Sequence, residues 1–510
     1  MKEFARPGER TAVRVRELSR PVDAVSALAA LRPAPAPWLL DSALRDPRLG
    51  RYSFAGVDPY LIARLGPGGI ELDWRRRVRS LPGEPQRDAD PFAALAGLLP
   101  PAPAAMPELD LPFVGGAVGY LAYELGEKSQ PVRLTQRDVL AGGPELADAT
   151  LLFVDQLLAV DHGRQRAFAL GLGFASDEAT AGQRAEERAA KLQVALDARQ
   201  LPAATQCRAQ DPGERSRLLA TELSPATRAF FDEPAYADAV RGLQHEIEAG
   251  NVYQANLTHR LDLPFEGDPW SLYRELRSLS PAPFAAYLEL PEGAVLSSSP
   301  ERFLRLDTHR HVESRPIKGT RPRGDDAASD RALSRELAVS TKDRAENLMI
   351  VDLVRNDLGR VCELGTVGVP ELMCVERYAS VFQLVSTVRG VLRPDARAAD
   401  LVRACFPPGS MTGAPKIAAM RLIDRVEPVR RGVYSGALGY LDVRGGLDLS
   451  VVIRTLLVAQ GRAFLHVGGG IVYDSDPVAE YRETIDKARA LVAAVSRASE
   501  GTPAQASIRV

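Results

Sequence analysis

The sequence predicts an α+β protein in which layers of short strands are covered by helices. Two observations support this prediction. Short apolar runs separated by turn residues fill most of the chain up to Leu172, which is typical of strands and hairpins. In the C-terminal half, long helical segments alternate with further strands. Runs of strands with helices outside them are typical of a layered α+β body.

The N-terminal part contains the clearest hairpin signals. Strands are predicted at Thr11–Val15, Trp38–Ser42 and Arg51–Gly56, with a strand pair within Ala149–Leu172. The stretch from Pro82 to Pro107 is rich in Pro and Ala, so we predict a loop around a short helix at Pro91–Leu99.

A change of composition marks the predicted boundary between two parts of the chain. A charged, Ala-rich helix is predicted at Asp177–Arg199, and the stretch that follows has no apolar periodicity. We therefore predict an N-terminal lobe at 1–200, a linker at 201–232 and a catalytic domain at 233–500. The two lobes are expected to share one intertwined body.

Three helices are predicted in the C-terminal half. The first runs from Ser329 to Leu358 and stops at Gly359, a typical C-terminal residue. The second opens at Ala414-Pro415 and ends near Arg425. The third begins at Asp476-Pro477 and carries apolar residues three and four apart, which indicates an amphipathic helix. The strands between them are predicted at Gly436–Val443, Leu449–Ala459 and Ala463–Val467.

Composition excludes several classes of partner. The 510 residues are 25% charged and 45% apolar, with a net charge of −2, so neither nucleic acid nor an anionic membrane is an expected partner. No apolar run approaches the roughly 18–20 residues of a membrane span, and the N-terminus lacks the apolar core of a signal peptide. The cysteines show no metal-binding spacing, so we expect a reduced, cytoplasmic protein. They are Cys207, Cys362, Cys374 and Cys405.

Lys318 has the sequence setting that most suggests covalent chemistry. It lies in the segment Arg315–Thr320, with Arg321 and Arg323 just beyond. A lysine amine attacks carbon only when it is neutral, and burial or nearby cations favour that form. Most lysines are solvated surface charges, so the segment alone leaves both a nucleophile and a surface lysine open.

Three carboxylates on two predicted helices are candidate metal ligands. Glu480, Glu483 and Lys487 share one face of the last helix, and Glu346 lies on the helix that ends at Gly359. If the two helices meet across a cleft, the carboxylates could hold Mg²⁺ that keeps several waters and binds a substrate carboxylate. The alternative is a solvated face with a Glu483–Lys487 ion pair.

Arg454 lies in the apolar run Leu449–Leu457 and needs a partner, because an unpaired buried charge is very costly. The partner could be an internal Asp or Glu, or a ligand carboxylate bound in bidentate fashion. Two loops, Gly409–Lys416 and Gly468–Val472, expose backbone N–H groups that could bind an anion. Together these features suggest a ligand with more than one carboxylate.

Glu301 follows a predicted strand and precedes Lys318 by 17 residues. A carboxyl group there could act as a general acid that complements an attacking amine. An ordinary salt bridge with Arg302 is the alternative.

These segments together resemble the chorismate-utilising enzymes. The resemblance covers nearly the whole chain and implies a two-lobed β-sandwich of antiparallel sheets with helices packed outside. The segments that carry it are Ala249–Leu257, Ser299–Glu301, Arg315–Thr320, Asp343–Asp357, Phe406–Lys416, Arg431–Ala437, Ile453–Thr455 and Gly469–Lys487.

The resemblance also implies a site and a reaction. Mg²⁺ would be bound by Glu346 and Glu483, with Glu480 acting through water. Lys318 would attack C2 of chorismate while Glu301 assists departure of the C4 hydroxyl. Ammonia would then add at C4 and give 4-amino-4-deoxychorismate for p-aminobenzoate and folate synthesis. The implied substrate contacts are Arg454, Tyr434, Gly469, Gly470, Thr320, Thr412, Gly413, Lys487, Gln254 and Gln383.

Two positions distinguish the members of this family. Members that add water at C2 carry lysine where this chain has Gln254, and members that form anthranilate carry alanine where it has Lys318. Both residues favour amination at C4. The alternatives are amination at C2 with loss of pyruvate, as in the anthranilate-forming members, and a non-catalytic regulatory subunit. The intact set Lys318, Glu301, Glu346 and Glu483 argues against the regulatory subunit.

The resemblance further implies a separate glutamine amidotransferase subunit that supplies ammonia. It also implies a tryptophan-binding element, here with Asp41 in place of a glutamate. Its residues would be Leu40, Asp41, Ser42, Pro281, Pro283 and Phe284. Gln383 stands where many relatives have His, and we expect it to contact the region of the C4 hydroxyl.

Overall fold

Two antiparallel sheets dominate the computed structural model of the chain. One sheet has twelve strands and the other eleven within the described residues. These residues are 9–46, 48–79, 90–106, 110–134, 143–199, 201–202, 226–324, 326–378 and 381–500.

The first sheet joins strands from both halves of the chain. In spatial order its strands are β1 (Arg10–Glu17), β9 (Arg166–Ala175), β8 (Gln156–Asp161), β3 (Tyr52–Gly56), β2 (Trp38–Asp41), β12 (Phe284–Leu290), β13 (Gly293–Ser299), β22 (Thr455–Ala459), β23 (Arg462–Ile471), β11 (Gln254–Pro264) and β10 (Arg228–Ala229), with β19 (Gly413–Ala414) also paired to β11. The strands β2 and β12 pair directly, although more than 200 residues separate them in sequence.

The second sheet also combines both halves of the chain. Its strands in spatial order are β16 (Ile317–Pro322), β18 (Val381–Val391), β15 (His311–Ser314), β14 (Arg302–Leu306), β21 (Leu447–Val451), β20 (Ala437–Asp442), β6 (Gly116–Leu121), β7 (Ala149–Val154), β4 (Leu61–Gly66) and β5 (Gly69–Trp74), with β17 (Gly368–Arg377) also paired to β18. Here β6 and β20 form the pair that joins the two halves.

The main apolar core combines side chains of the two sheets. Trp38 and Phe54 of the first sheet are in one buried cluster with Leu61 and Val118 of the second. Removal of this much apolar surface from water supplies most of the free energy that holds two such sheets together. The predicted α+β class, with antiparallel sheets as its framework, is confirmed.

Helices cover the outer faces of the sheets. The described α-helices are α1 (Ala24–Leu31), α2 (Pro91–Gly97), α3 (Gly126–Ser129), α4 (Glu178–Asp197), α5 (Glu233–Glu248), α6 (Pro269–Leu279), α7 (Ala327–Val339), α8 (Thr341–Gly359), α9 (Ala398–Cys405), α10 (Lys416–Val426) and α11 (Pro477–Glu500). Leu491 and Val495 of α11 share a second core cluster with Leu456 and Leu465 of the first sheet, while α8 packs against β16 and β18.

Two predicted elements are divided in the structure. The helix predicted from Ser329 to Leu358 is two helices, because Ser340 leaves the helical conformation and its hydroxyl accepts a hydrogen bond from the Asp343 amide. The strand predicted at Leu449–Ala459 is β21 and β22, with Arg454 between them at a φ of 52°. Arg454 is therefore not in a strand but in the connection between the second sheet and the first.

Some predictions concern parts of the chain outside the described residues. These parts include Cys207, residues 82–89 of the predicted Pro-rich loop and residues 203–225 of the predicted linker. The other three cysteines are free thiols. No helix in the described ranges is both long enough and apolar enough to cross a membrane.

Candidate active site

A cavity of about 620 Å³ lies where β16 and β23 approach α8 and α11. Residues from distant parts of the sequence meet in it, as is typical of a ligand site. The predicted site residues that line it are Glu301, Lys318, Thr320, Glu346, Gln383, Tyr434, Arg454, Gly469, Gly470, Glu480, Glu483 and Lys487.

Lys318 extends from the edge strand β16, and 14% of its side chain is exposed. Its Nζ lies 4.0 Å from Oε2 of Glu346. The sequence suggested that Arg315, Arg321 and Arg323 would act on this amine as cations. Each of these arginines is paired with at least one carboxylate, which offsets part of its charge, and their effect on the amine stays a prediction. A carboxylate, that of Glu346, lies beside the amine.

Gln254 does not line the cavity but contacts Glu346, which does. Its Nε2 donates to Oε2 of Glu346 at 3.4 Å, and its Oε1 has no partner among the described residues. A Cβ at Gly470 would lie 2.0 Å from Nε2 of Gln254 and 3.4 Å from Nζ of Lys318. Gly470 is thus required for the close approach of these two side chains.

Glu301 is a buried carboxyl group that lines the same cavity as Lys318. Burial raises its pKa to about 7, against the smaller opposing effects of a hydrogen bond from Ser410 and the charge of Lys318. The alternative of an Arg302 salt bridge was wrong, because Arg302 pairs with Glu313 and Asp448. Glu301 is therefore suited to hold a proton near neutral pH.

Each of the three predicted metal ligands is paired with a lysine. The pairs are Glu346–Lys318 at 4.0 Å, Glu480–Lys342 at 3.2 Å and Glu483–Lys487 at 2.7 Å. No three His, Cys, Asp or Glu side chains in the described part of the chain are grouped closely enough to hold a metal by themselves. Mg²⁺ needs only one or two protein carboxylates, because it keeps waters and binds substrate oxygens. The three carboxylates facing one cavity fit such an ion.

The carboxylates differ in how readily they ionise. Burial raises the pKa of Glu346, although Lys318 and Lys342 oppose it. Burial also acts against ionisation of Glu483, but Lys487, Lys342 and Lys318 together outweigh it and lower the pKa of that carboxyl. Desolvation lowers the pKa of Lys487, which also donates to the Gly468 carbonyl at 2.8 Å.

Arg454 has no carboxylate partner within 4.0 Å among the described residues. Its Nη1 donates to the carbonyl of Lys487 at 2.7 Å, and desolvation lowers its pKa. The alternative of an internal Asp or Glu partner is therefore absent from the described part of the chain. Its other N–H groups are available to a carboxylate in the cavity.

Four cavity residues were missed by sequence reasoning. His466 stacks on Tyr434 with a ring separation of 5.2 Å, and Asn256 also lines the cavity. Both His466 and Asn256 carry a buried nitrogen without a partner among the described residues. Ser410 bonds to Glu301, and Lys342 to Glu480. Of these residues, only Lys342 could have been identified from the sequence, since it precedes Glu346 by one helical turn.

Thr412 and Gly413 do not line the cavity. The Thr412 side chain is fully buried and its Oγ1 donates to the Gly409 carbonyl at 3.2 Å. Gly413 pairs with Ala255 of β11. Both support the wall from which Ser410 projects.

A second cavity, of about 280 Å³, lies beside the predicted tryptophan element. Leu40, Asp41, Ser42, Pro283 and Phe284 line it, whereas Pro281 does not. The Asp41 carboxylate already accepts hydrogen bonds from other side chains. Its donors are Ser53, Tyr273 and Arg277.

The chain is similar to known proteins over most of its length. A family model described as chorismate binding enzyme matches residues 75–493. An aminodeoxychorismate synthase of Streptomyces pristinaespiralis is 44% identical over 96% of this chain and 66% of that protein. An aminodeoxychorismate synthase component 1 of Klebsiella aerogenes is 42% identical over 75% of this chain and 77% of that protein.

Among solved structures, anthranilate synthase component I from Streptococcus pneumoniae superposes with a TM-score of 0.70 at 28% identity. The match covers 88% of this chain and 93% of that one. The chain thus spans nearly all of this structure but just under two thirds of the Streptomyces relative.

Proposed function

The chain belongs to the chorismate binding enzyme family, and from this premise we propose that it aminates chorismate at C4 with ammonia to give 4-amino-4-deoxychorismate. The observation that carries the proposal is Lys318, which lines one cavity together with Glu301 and Glu346. An amine and a proton-holding carboxyl in one site are what a covalent substitution requires.

In the first step the Lys318 nitrogen forms a bond to C2 of the ring and loses a proton, which replaces the one that Glu301 donates. The two ring double bonds shift, and the C4–O bond breaks. Glu301 gives its proton to the departing hydroxyl, which leaves as water. Its pKa of about 7 keeps about half of it protonated at neutral pH and most of it protonated below neutral pH.

In the second step ammonia forms a bond to C4, and the double bonds shift back. The C2–N bond breaks, and Lys318 is restored after it takes up a proton. The balance of both steps is exchange of a hydroxyl for an amino group with release of water. Two easier substitutions thus replace one difficult one.

Substrate binding is assigned to the two ends of the cavity. Arg454 and Tyr434 would hold one carboxylate, with the backbone of Gly469 and Gly470 beside them. Gln383 also lines the cavity, and we assign it to the region of the departing hydroxyl. In the proposed binding mode these contacts would hold the ring beside Lys318 and Glu301.

Mg²⁺ bound to Glu346 and Glu483, with Glu480 acting through water, would neutralise these carboxylates and bind the second substrate carboxylate. Glu346 is also the carboxylate nearest to the Lys318 amine. A cation bound to Glu346 would therefore weaken the ion pair between Glu346 and Lys318.

We assign the supply of ammonia to a separate glutamine amidotransferase subunit, in keeping with the designation component 1 of the Klebsiella relative. Tryptophan binding at the second cavity stays a prediction. A ligand amino group there would share Asp41 with its three existing donors.

Intact-protein mass spectrometry tests the proposal directly. The protein is incubated with chorismate and Mg²⁺ in the absence of ammonia. We expect an adduct with the mass of chorismate less water, located at Lys318 by peptide mapping. An unmodified protein at saturating chorismate would argue against the covalent route.

A further inference from the structure

Lys342 lies in the acidic region of the cavity, and the proposed reaction does not use it. It is in the first turn of α8, one helical turn before Glu346, so that the two side chains share a face. Its Nζ donates to Oε1 of Glu480 on α11 at 3.2 Å. Lys342 thus connects the two helices that carry the proposed metal ligands.

The charge of Lys342 is stabilised by all three carboxylates. Burial disfavours its charged form, but Glu480, Glu346 and Glu483 together outweigh burial and raise its pKa. The Lys342 ammonium group therefore lies in the electrostatic field of all three carboxylates, where a divalent cation would also be most stable.

Lys342 is also the lysine of this region that can leave most easily. Its side chain is 52% exposed, against 14% for Lys318 and 28% for Lys487. Lys487 has a second bond to the Gly468 carbonyl, whereas Glu480 is the only hydrogen-bond partner of Lys342 among the described residues. Rotation of Lys342 into solvent would break one ion pair and leave the backbone unchanged.

We propose that Lys342 is an internal counter-cation, whose ammonium group occupies the space between α8 and α11 in the metal-free protein and is displaced into solvent when a divalent cation binds to the carboxylates. This inference rests on the metal site of the proposed function. It assigns to Lys342 a competition with the cation, which weakens cation binding and limits repulsion among the carboxylates of the empty site.

Cation affinity of the Lys342→Gln variant tests this inference without recourse to activity. Metal-free protein is titrated with Mn²⁺, and free Mn²⁺ is measured by electron paramagnetic resonance. Loss of a competing ion pair of this exposure predicts Mn²⁺ binding tighter by about two- to fivefold. Lys191→Gln, an exposed lysine on α4, is the matched control and should bind Mn²⁺ as the unmodified protein does.

Thermal unfolding in the presence of a chelator provides a second readout. Without Lys342 the Glu480 carboxylate loses its paired cation and is repelled more strongly by Glu346 and Glu483, so the variant should melt below the unmodified protein in chelator and regain stability with Mn²⁺. Lys191→Gln should show neither effect.

The outcomes separate this inference from the metal site itself. Unchanged or weaker Mn²⁺ affinity in Lys342→Gln, with affinity lost in Glu346→Gln, would overturn the inference and leave the metal site standing. If no variant binds Mn²⁺, both the inference and the metal part of the proposed function are wrong. Amination at C4 is decided by product analysis in either case.

Discussion

The amine nitrogen of Lys318 lies 4.0 Å from Oε2 of Glu346, so the proposed nucleophile and a proposed metal ligand form one ion pair. A lysine amine must be free of such a pair before its nitrogen can attack carbon. In the proposed reaction, engagement of Glu346 by a cation would therefore release Lys318, and occupancy of the acidic site would be coupled to the reactivity of this lysine.

Replacement of Lys318 should abolish the covalent route. The Lys318→Met variant keeps a side chain of similar length without an amine, and we expect loss of the adduct and a fall in kcat on the order of 10³-fold. Initial rates with ammonium as nitrogen source measure the effect. Lys191→Met is the control for loss of a lysine on the surface, and a comparable loss there would point to a general effect on folding.

Glu301 should give the pH profile of kcat an alkaline limb, in which kcat falls as pH rises. As the acid that protonates the departing hydroxyl, it must carry its proton, so kcat should fall as pH rises through its pKa of about 7. Glu301→Gln should lower kcat by about 10²–10⁴-fold and remove this limb.

Ser410 allows a finer test of the same carboxyl group. Its hydrogen bond lowers the pKa of Glu301. The Ser410→Ala variant should therefore raise that pKa and move the alkaline limb to higher pH. A pH profile of kcat measures the shift, and a limb that stays in place or moves to lower pH would exclude Glu301 as its origin.

The absence of a side chain at Gly470 should be essential for activity. A methyl group there would meet Nε2 of Gln254 at 2.0 Å, so Gly470→Ala should displace Gln254 and disturb Lys318. We expect a decrease in kcat/KM of at least about tenfold, as displacements of catalytic groups by fractions of an ångström can cause. Gly242→Ala on α5 has open space around the new methyl group and is the control. It should retain activity and gain stability of about 0.5–1 kcal/mol, because alanine favours helix.

Arg454 should determine affinity for the substrate. Arg454→Lys keeps the charge but loses the bidentate geometry, so KM for chorismate should rise roughly 10–100-fold with a smaller change in kcat. Arg482→Lys, an exposed position on α11, should leave both constants unchanged. Equal effects on KM for the two variants would contradict the assignment of Arg454.

Much of the fold and of the site was predictable because the responsible residues lie in local patterns. The amphipathic spacing of α11 placed Glu480, Glu483 and Lys487 on one face, and α8 ends at Gly359 as expected. The apolar run around Arg454 indicated a charge in need of a partner. These signals depend on the period of a helix or a strand and on little else.

The parts that were not predictable depend on contacts between distant segments. Arg315 forms ion pairs with Glu371 and Glu376, which are more than 50 residues away in sequence. The pairing of β17 with β18 brings these glutamates to Arg315, and the sequence around Arg315 does not indicate it. The break at Ser340 depends on one side-chain hydrogen bond, and the turn at Arg454 on a left-handed residue between two strands. These features arise from tertiary contacts, which the periodicity of the sequence does not reveal.

Identification of the product tests the central claim most directly. The protein is incubated with chorismate, Mg²⁺ and ammonium at mildly alkaline pH, and the products are separated by liquid chromatography and identified by mass spectrometry. Our account predicts 4-amino-4-deoxychorismate, which a pyridoxal-dependent lyase converts to p-aminobenzoate. Anthranilate as the product would contradict it, because amination would then occur at C2 despite Lys318.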